Sequence, residues 1–273
     1  MSLFVGVTSW NSRVFLDACL DSLRKTCGEA EVCVLDNVST DDSCDVARRH
    51  GAKVIRKACS QPFAMNALAA MSRSDCTLLV HADVVFLGPD WRERCMEAVR
   101  RGASLVSPED TGCGNGTRPW GRGMPESSFL FFDTGMLGKL REIRWIRRFR
   151  LPWPVAAVDF FGDHITYNLP GEIARRGGKI QFMDFHAGPA APEPIVNPVQ
   201  AYQYWQPAWA NLRYGLGNFY TLDGALTHYH NWYDRLNATG GRDPDGLPAE
   251  FLAAYSRNFL EDYKRGNVQL PLE

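Results

Sequence analysis

The sequence predicts an α/β fold, a doubly wound and mostly parallel sheet flanked by helices, and three observations point there. β-rich apolar runs alternate with segments whose apolar residues recur at helical spacing. Three of those runs end in polar loops, residues 8–11, 36–42 and 81–83, and sheets of this kind bind ligands at the carboxyl ends of their strands. A central run, residues 76–87, reads Cys-Thr-Leu-Leu-Val-His-Ala-Asp-Val-Val-Phe-Leu, where His81 and Asp83 interrupt otherwise apolar sequence.

Taken in order, residues 3–8 are a short apolar strand and Ser9-Trp10-Asn11-Ser12 a polar turn. Phe15, Leu16, Cys19, Leu20 and Leu23 follow at helical spacing. Residues 31–35 are a second strand, whose acidic loop 36–42 feeds a helix with Val46 and Ala47 inside and Gly51 as its stop. Residues 53–56 and 105–108 read as strands, 63–71 and 91–101 as helices. Glycines crowd residues 112–123, which predicts a mobile loop, and 129–132 is a further strand. The segment opening at Asp159-Phe160-Phe161-Gly162-Asp163-His164 is expected to be helical through Arg176, stopped by Gly177-Gly178. Residues 179–183 are a strand that ends at Asp184-Phe185-His186. Residues 1–188 therefore read as one core. Residues 189–273 read as a C-terminal lobe, rich in Tyr and Trp, that wraps the crevice and finishes in an amphipathic helix over 248–264.

Side chains alternate along a strand, so His81 and Asp83 are expected to share a face. A lone carboxylate in apolar sequence is costly unless something pairs with it. A divalent cation is one such partner; a turn capped by Asp83 is the other reading.

Composition narrows the classes. Of 273 residues 45% are hydrophobic and 22% charged, ordinary for a soluble globular protein, and a net charge of −1 gives no field that favours nucleic acid. No apolar run approaches the roughly 18 residues of a membrane span, and the N-terminus lacks the basic start of a secretory signal. The 8 cysteines include no Cys-x-x-Cys pair, which disfavours zinc; they sit in apolar runs and helix patterns, which fits buried thiols in a reducing, cytoplasmic compartment. Gly-x-Gly-x-x-Gly is absent after the first strand, which disfavours NAD.

The opening Val-Thr-Ser-Trp-Asn-Ser, the loop Asp36-Asn37-Val38-Ser39-Thr40-Asp41, the strand end His81-Ala82-Asp83, and Asp163 with a downstream His186 fall in a recognisable order and spacing. Over residues 3–188 the chain resembles family 2 glycosyltransferases of the GT-A fold. The resemblance implies inverting transfer of a sugar from a nucleotide diphosphate-sugar, a UDP-sugar before others, to a hydroxyl acceptor, with Mn²⁺ or Mg²⁺ as cofactor. His81-Ala82-Asp83 stands where the family carries Asp-x-Asp, which implies Asp83 as a metal ligand. His186 is the implied third ligand, with His228 and His230 as an alternative pair; a buried, hydrogen-bonded histidine is the competing reading of His186. Thr8, Asp36, Asn66 and His81 fall around the nucleotide-sugar, Asp36 as acceptor for the N3–H of uracil. Asp163 is the implied general base, and a helix cap is its competing reading. The chain departs from the family at Ala64-Met65-Asn66, where Ala-Arg-Asn is usual, at His81, and at Gly162, which stands in place of a glutamate.

Two other classes stay open. A nucleotidyltransferase acting on a sugar phosphate needs a Gly-rich phosphate loop, which residues 8–13 lack. A non-catalytic sugar-binding scaffold of the same fold is kept open by Met65 and His81. The basic stretch 139–150 can meet an anionic or lipid-linked acceptor, or hold the protein peripherally at a membrane, although a solvated loop is the commoner meaning of such a run.

Overall fold

The computed structural model describes residues 1–109, 123–137, 165–166, 168–190, 212–215, 217–231 and 249–271. Strand β1 (Leu3–Ser9) leads into α1 (Arg13–Cys27), β2 (Glu31–Asp36) into α2 (Ser43–Arg49), and β3 (Lys53–Arg56) into α3 (Gln61–Met71). Then β4 (Cys76–His81) and β5 (Val84–Phe86) precede α4 (Trp91–Arg100). After β6 (Leu105–Pro108) come β7 (Phe129–Asp133), α5 (Thr134–Leu137), α6 (Leu169–Arg175) and β8 (Ile180–Ala187). The hairpin β9 (Gly217–Leu222) and β10 (Ala225–Asn231) and the helix α7 (Ala249–Arg265) complete the described chain.

The strands form one mixed sheet in the order β3-β2-β1-β4-β7-β6-β8-β9-β10-β5. Neighbours from β3 to β4 are parallel, as are β6 and β8. β7 runs antiparallel to β4 and β6, and the ladder from β8 through β9 and β10 to β5 is antiparallel.

The strand pattern explains how the sheet takes helices on both sides. Leu3, Val5 and Val7 of β1, Cys76, Leu78 and Val80 of β4, and Phe129 and Phe131 of β7 face one core, with Leu16, Leu20 and Leu23 of α1 and Trp91 and Cys95 of α4. Phe4, Leu79, Leu130 and Phe132 alternate to the other side, against Ala64, Met65 and Leu68 of α3 and Leu169 and Ile173 of α6. Apolar residues on both faces are what a central, doubly covered strand requires. A third cluster, with Phe15, Val85, Tyr214, Phe219, Tyr229 and Phe259, joins α1 and β5 to β9, β10 and α7.

Only Ala82 and Asp83 separate β4 from β5, yet the ladder that leaves β4 passes through five strands before it reaches β5. The sheet therefore curls back onto the His81-Ala82-Asp83 turn.

Three expectations change. His81 closes β4 and Asp83 lies in the turn, so the turn, rather than strand alternation, brings the two together. The helix before Gly177 is short: Ile165 and Thr166 form a turn and α6 begins at Leu169, with Pro170 in its first turn, where a missing N–H costs nothing. β8 does not end before Asp184 but runs to Ala187, because residues 184–187 pair with β9. The glycine-rich residues 112–122, the basic stretch 139–150, Asp159, Asp163 and most aromatic residues expected in the lobe lie outside the described residues.

Candidate functional site

Register sets the site. At the carboxyl end of β1, Thr8 pairs with His81 of β4 and Ser9 with Asp36 of β2, so three polar strand ends stand side by side. Their loops are then tied together. The Asn11 N–H donates to Ser39 Oγ at 2.8 Å, and Asn11 Oδ1 accepts from the Thr40 N–H at 2.7 Å. Asn11 holds φ 49 to do this, a left-handed conformation that asparagine tolerates better than most residues. Asp36 is fully buried. Its carboxylate accepts from the Ser39 N–H at 2.8 Å and from Ser39 Oγ, with Arg56 Nε 3.8 Å away. Asn37 Oδ1 accepts from the Cys59 N–H at 2.9 Å. Asp36 thus organises the loop from beneath.

The His81-Ala82-Asp83 turn is hung from β1, β10 and the residue that precedes β7. The His81 N–H donates to Ser128 O at 3.0 Å, the Ala82 N–H to Thr8 O at 3.1 Å, and the Asn231 N–H to Asp83 O at 3.0 Å. Because β10 lies antiparallel on β5, with His230 opposite Val84, the His230 ring arrives beside the turn. Ligand atoms of His81, Asp83 and His230 all lie within 4.8 Å of one another. His230 Nε2 is 3.5 Å from Asp83 Oδ1, and its Nδ1 is 2.8 Å from Glu126 Oε1. His81 meets the Gln61 amide of α3 through Nε2.

Charge follows from this geometry. Burial pushes the His230 imidazole down, but the carboxylates of Glu126 and Asp83 outweigh it and raise the pKa to about 9. The residues fit a divalent cation: two imidazole nitrogens and a carboxylate converge, and a buried carboxylate lies behind one of the imidazoles.

The other histidines are placed differently. His228 sits two residues before His230 and is buried between Phe129 and Tyr220, with ring centroids 4.6 and 4.8 Å away. Its Nδ1 meets Thr227 Oγ1 at 3.0 Å, and burial, reinforced by His230, holds its pKa well below the ordinary value. His186 lies on β8 with Nε2 2.9 Å from Thr221 Oγ1, and it is not among the three residues drawn together. Asn66 is half-buried on α3.

Sequence reasoning missed Glu126 and Gln61, and it took Tyr220 only as one of the aromatic residues of the C-terminal lobe. Glu126 lies between a glycine-rich run and an apolar strand, in no motif of its own. The hairpin that carries Tyr220 and His230 did have a signal: Asp223-Gly224, both with positive φ (51 and 74), is a strong turn pair between apolar runs.

The model of glycosyl transferase family 2 matches residues 4–150. Among solved structures, the chain is similar to TarS 1–349 of S. aureus, with TM-score 0.40 and 18% identity over 50% of this chain and 48% of that one. A second TarS structure, in complex with UDP-GlcNAc, gives TM-score 0.39 and 18% identity over 50% and 46% of the two chains. A third likeness is to glucosyl-3-phosphoglycerate synthase from Mycobacterium tuberculosis in complex with Mn²⁺, UDP and glucosyl-3-phosphoglycerate. There the TM-score is 0.40 and the identity 16%, over 50% of this chain and 58% of that one. The aligned part spans about half the length of these structures. No curated protein matches the chain. Among the described residues no helix is long and apolar enough to cross a membrane.

Proposed function

The chain belongs to glycosyl transferase family 2, and on that premise we propose that it moves a sugar from a nucleotide diphosphate-sugar, a UDP-sugar before others, to a hydroxyl acceptor with inversion. The single observation that carries this reading is the convergence of His81, Asp83 and His230 at the end of the central strand. Asp83 and His230, with His81, would hold a divalent cation. Bound there, it supplies Lewis-acid stabilisation of the nucleotide diphosphate leaving group. Two imidazoles in the donor set favour Mn²⁺ over Mg²⁺, which prefers oxygen ligands.

The protein's own groups do the rest. The loop organised by Asp36 and tied to Asn11 forms the side of the crevice that receives the base, next to the backbone of Thr8. His81, held by Gln61, stands beside Asp83 and His230. Inversion requires in-line attack by an acceptor hydroxyl that gives up its proton, and Asp163 is the proposed base. Hydrolysis of a UDP-sugar without acceptor, measured with Mn²⁺ and with excess chelator, tests the reading. Release of UDP that needs Mn²⁺ and is lost in Asp83→Asn is expected; release unaffected by chelator contradicts it.

A further inference from the structure

We propose that Glu126 is a positioning residue for the cation site: paired with His230 Nδ1 at 2.8 Å, it keeps the proton on that nitrogen and so leaves Nε2 free to face the space shared with Asp83 and His81. This rests on the reading of His81, Asp83 and His230 as a metal centre, and goes beyond it to a residue none of the family motifs contains.

Glu126 is 3% exposed, and a carboxylate buried that deeply needs donors. Three side chains converge on it. The Tyr220 hydroxyl donates to Oε2 at 2.8 Å, Ser128 Oγ donates to Oε1, and His230 Nδ1 stands 2.8 Å from Oε1. The backbone is fixed too: the Glu126 N–H donates to Pro108 O at 2.9 Å, and Ser107 Oγ donates to Glu126 O at 3.2 Å. A carboxylate only accepts, so the nitrogen facing it must carry the hydrogen. In a neutral imidazole that leaves Nε2 as the lone-pair atom, and Nε2 is the atom 3.5 Å from Asp83 Oδ1. Carboxylates behind metal-binding imidazoles act this way: they fix tautomer and ring orientation and raise the basicity of the ligand. Glu126 is not one of the three residues whose ligand atoms converge.

Four proteins settle it, each titrated with Mn²⁺ alone and read by the electron paramagnetic resonance of the free ion: the parent, Glu126→Gln, Tyr220→Phe and Asp83→Asn. Glutamine keeps the shape but offers one acceptor oxygen to three donors. Glu126→Gln is expected to raise the Mn²⁺ Kd by about 10–100-fold, the range typical of such outer partners, with Asp83→Asn losing more. Glu126→Gln that melts lower but binds Mn²⁺ with the parent's Kd overturns the proposal and leaves Glu126 a structural counter-charge. Where Glu126→Gln does not fold, Tyr220→Phe, which releases Oε2, decides: a Kd raised several-fold supports the proposal and an unchanged Kd overturns it. Parent-like binding by Asp83→Asn overturns the metal centre itself, and the present inference with it.

Discussion

Asp83 Oδ1 and His230 Nε2 stand 3.5 Å apart, although one residue closes the turn after the central strand and the other ends a hairpin near the far end of the chain. The contact exists because β10 pairs with β5, which follows the turn directly. The ladder that closes the sheet also builds the site.

The two candidate third ligands can be told apart. His230 is one of the three converging residues, whereas His186 faces Thr221. His230→Ala is expected to abolish the rise in melting temperature that Mn²⁺ with UDP produces, and His186→Ala to keep most of it. A ligand that binds only the folded state raises the melting temperature by mass action, so the assay reads the site without needing the acceptor. The opposite order moves the third ligand to β8.

Val38 predicts a cost inside the loop after β2. It holds φ 56 and is 41% exposed, a left-handed conformation that a β-branched residue rarely adopts. That conformation costs about 1–2 kcal/mol, and glycine gives back about 0.5–1 kcal/mol in unfolded-state entropy. Val38→Gly is therefore expected to raise stability by roughly 0.5–1 kcal/mol in urea melts. A loss of stability means the side chain contributes something that the exposure does not reveal.

The helix α7 depends on one charged cluster. Asp262 accepts from Arg213 Nε at 2.7 Å, from Arg213 Nη2 at 3.1 Å and from the Tyr214 hydroxyl at 2.7 Å. Those hydrogen bonds, Arg213 foremost, hold the Asp262 carboxyl below its ordinary 3.8 against the upward push of burial. A carboxyl with a depressed folded pKa contributes stability that is present above its unfolded value and is lost as pH falls through the folded one. The parent is therefore expected to lose this contribution below about pH 4. At neutral pH Asp262→Asn should cost about 2–3 kcal/mol, less than a fully buried pair because Arg213 is partly exposed. Melting curves of both proteins from pH 7 to 3 should converge toward the acid end; parallel curves throughout contradict the assignment.

Asp163 is proposed as base from the sequence, since it lies outside the described residues. Removing a general base costs on the order of 10² to 10⁴ in rate. Asp163→Asn should lower turnover by that order and leave UDP-sugar affinity nearly unchanged, because asparagine can still cap a helix. Near-normal turnover moves the role to Asp159.

The first half of the sheet was legible because local pattern decides it. Residues of β1 and β4 are apolar on both faces, and the polar loops after β1, β2 and β4 mark the crevice without any long-range information. Asp36 was found by its pattern, but its burial beneath Ser39 and Arg56 depends on packing that the pattern does not express. Pairing of β5 with β10 joins segments remote in sequence, which periodicity cannot reveal, so His230 stood only as one of several histidines. Glu126 had no signal of its own. It becomes visible only when Tyr220, Ser128 and His230 are seen to converge on it.

The central claim is that a divalent cation is held by His81, Asp83 and His230. Crystals grown with Mn²⁺ and UDP, measured for manganese anomalous scattering, test it most directly. One peak is expected, bounded by Asp83 Oδ1, His230 Nε2 and the His81 ring, with the diphosphate against it. A peak beside His186, or UDP bound in the crevice with no manganese peak at Asp83, contradicts it.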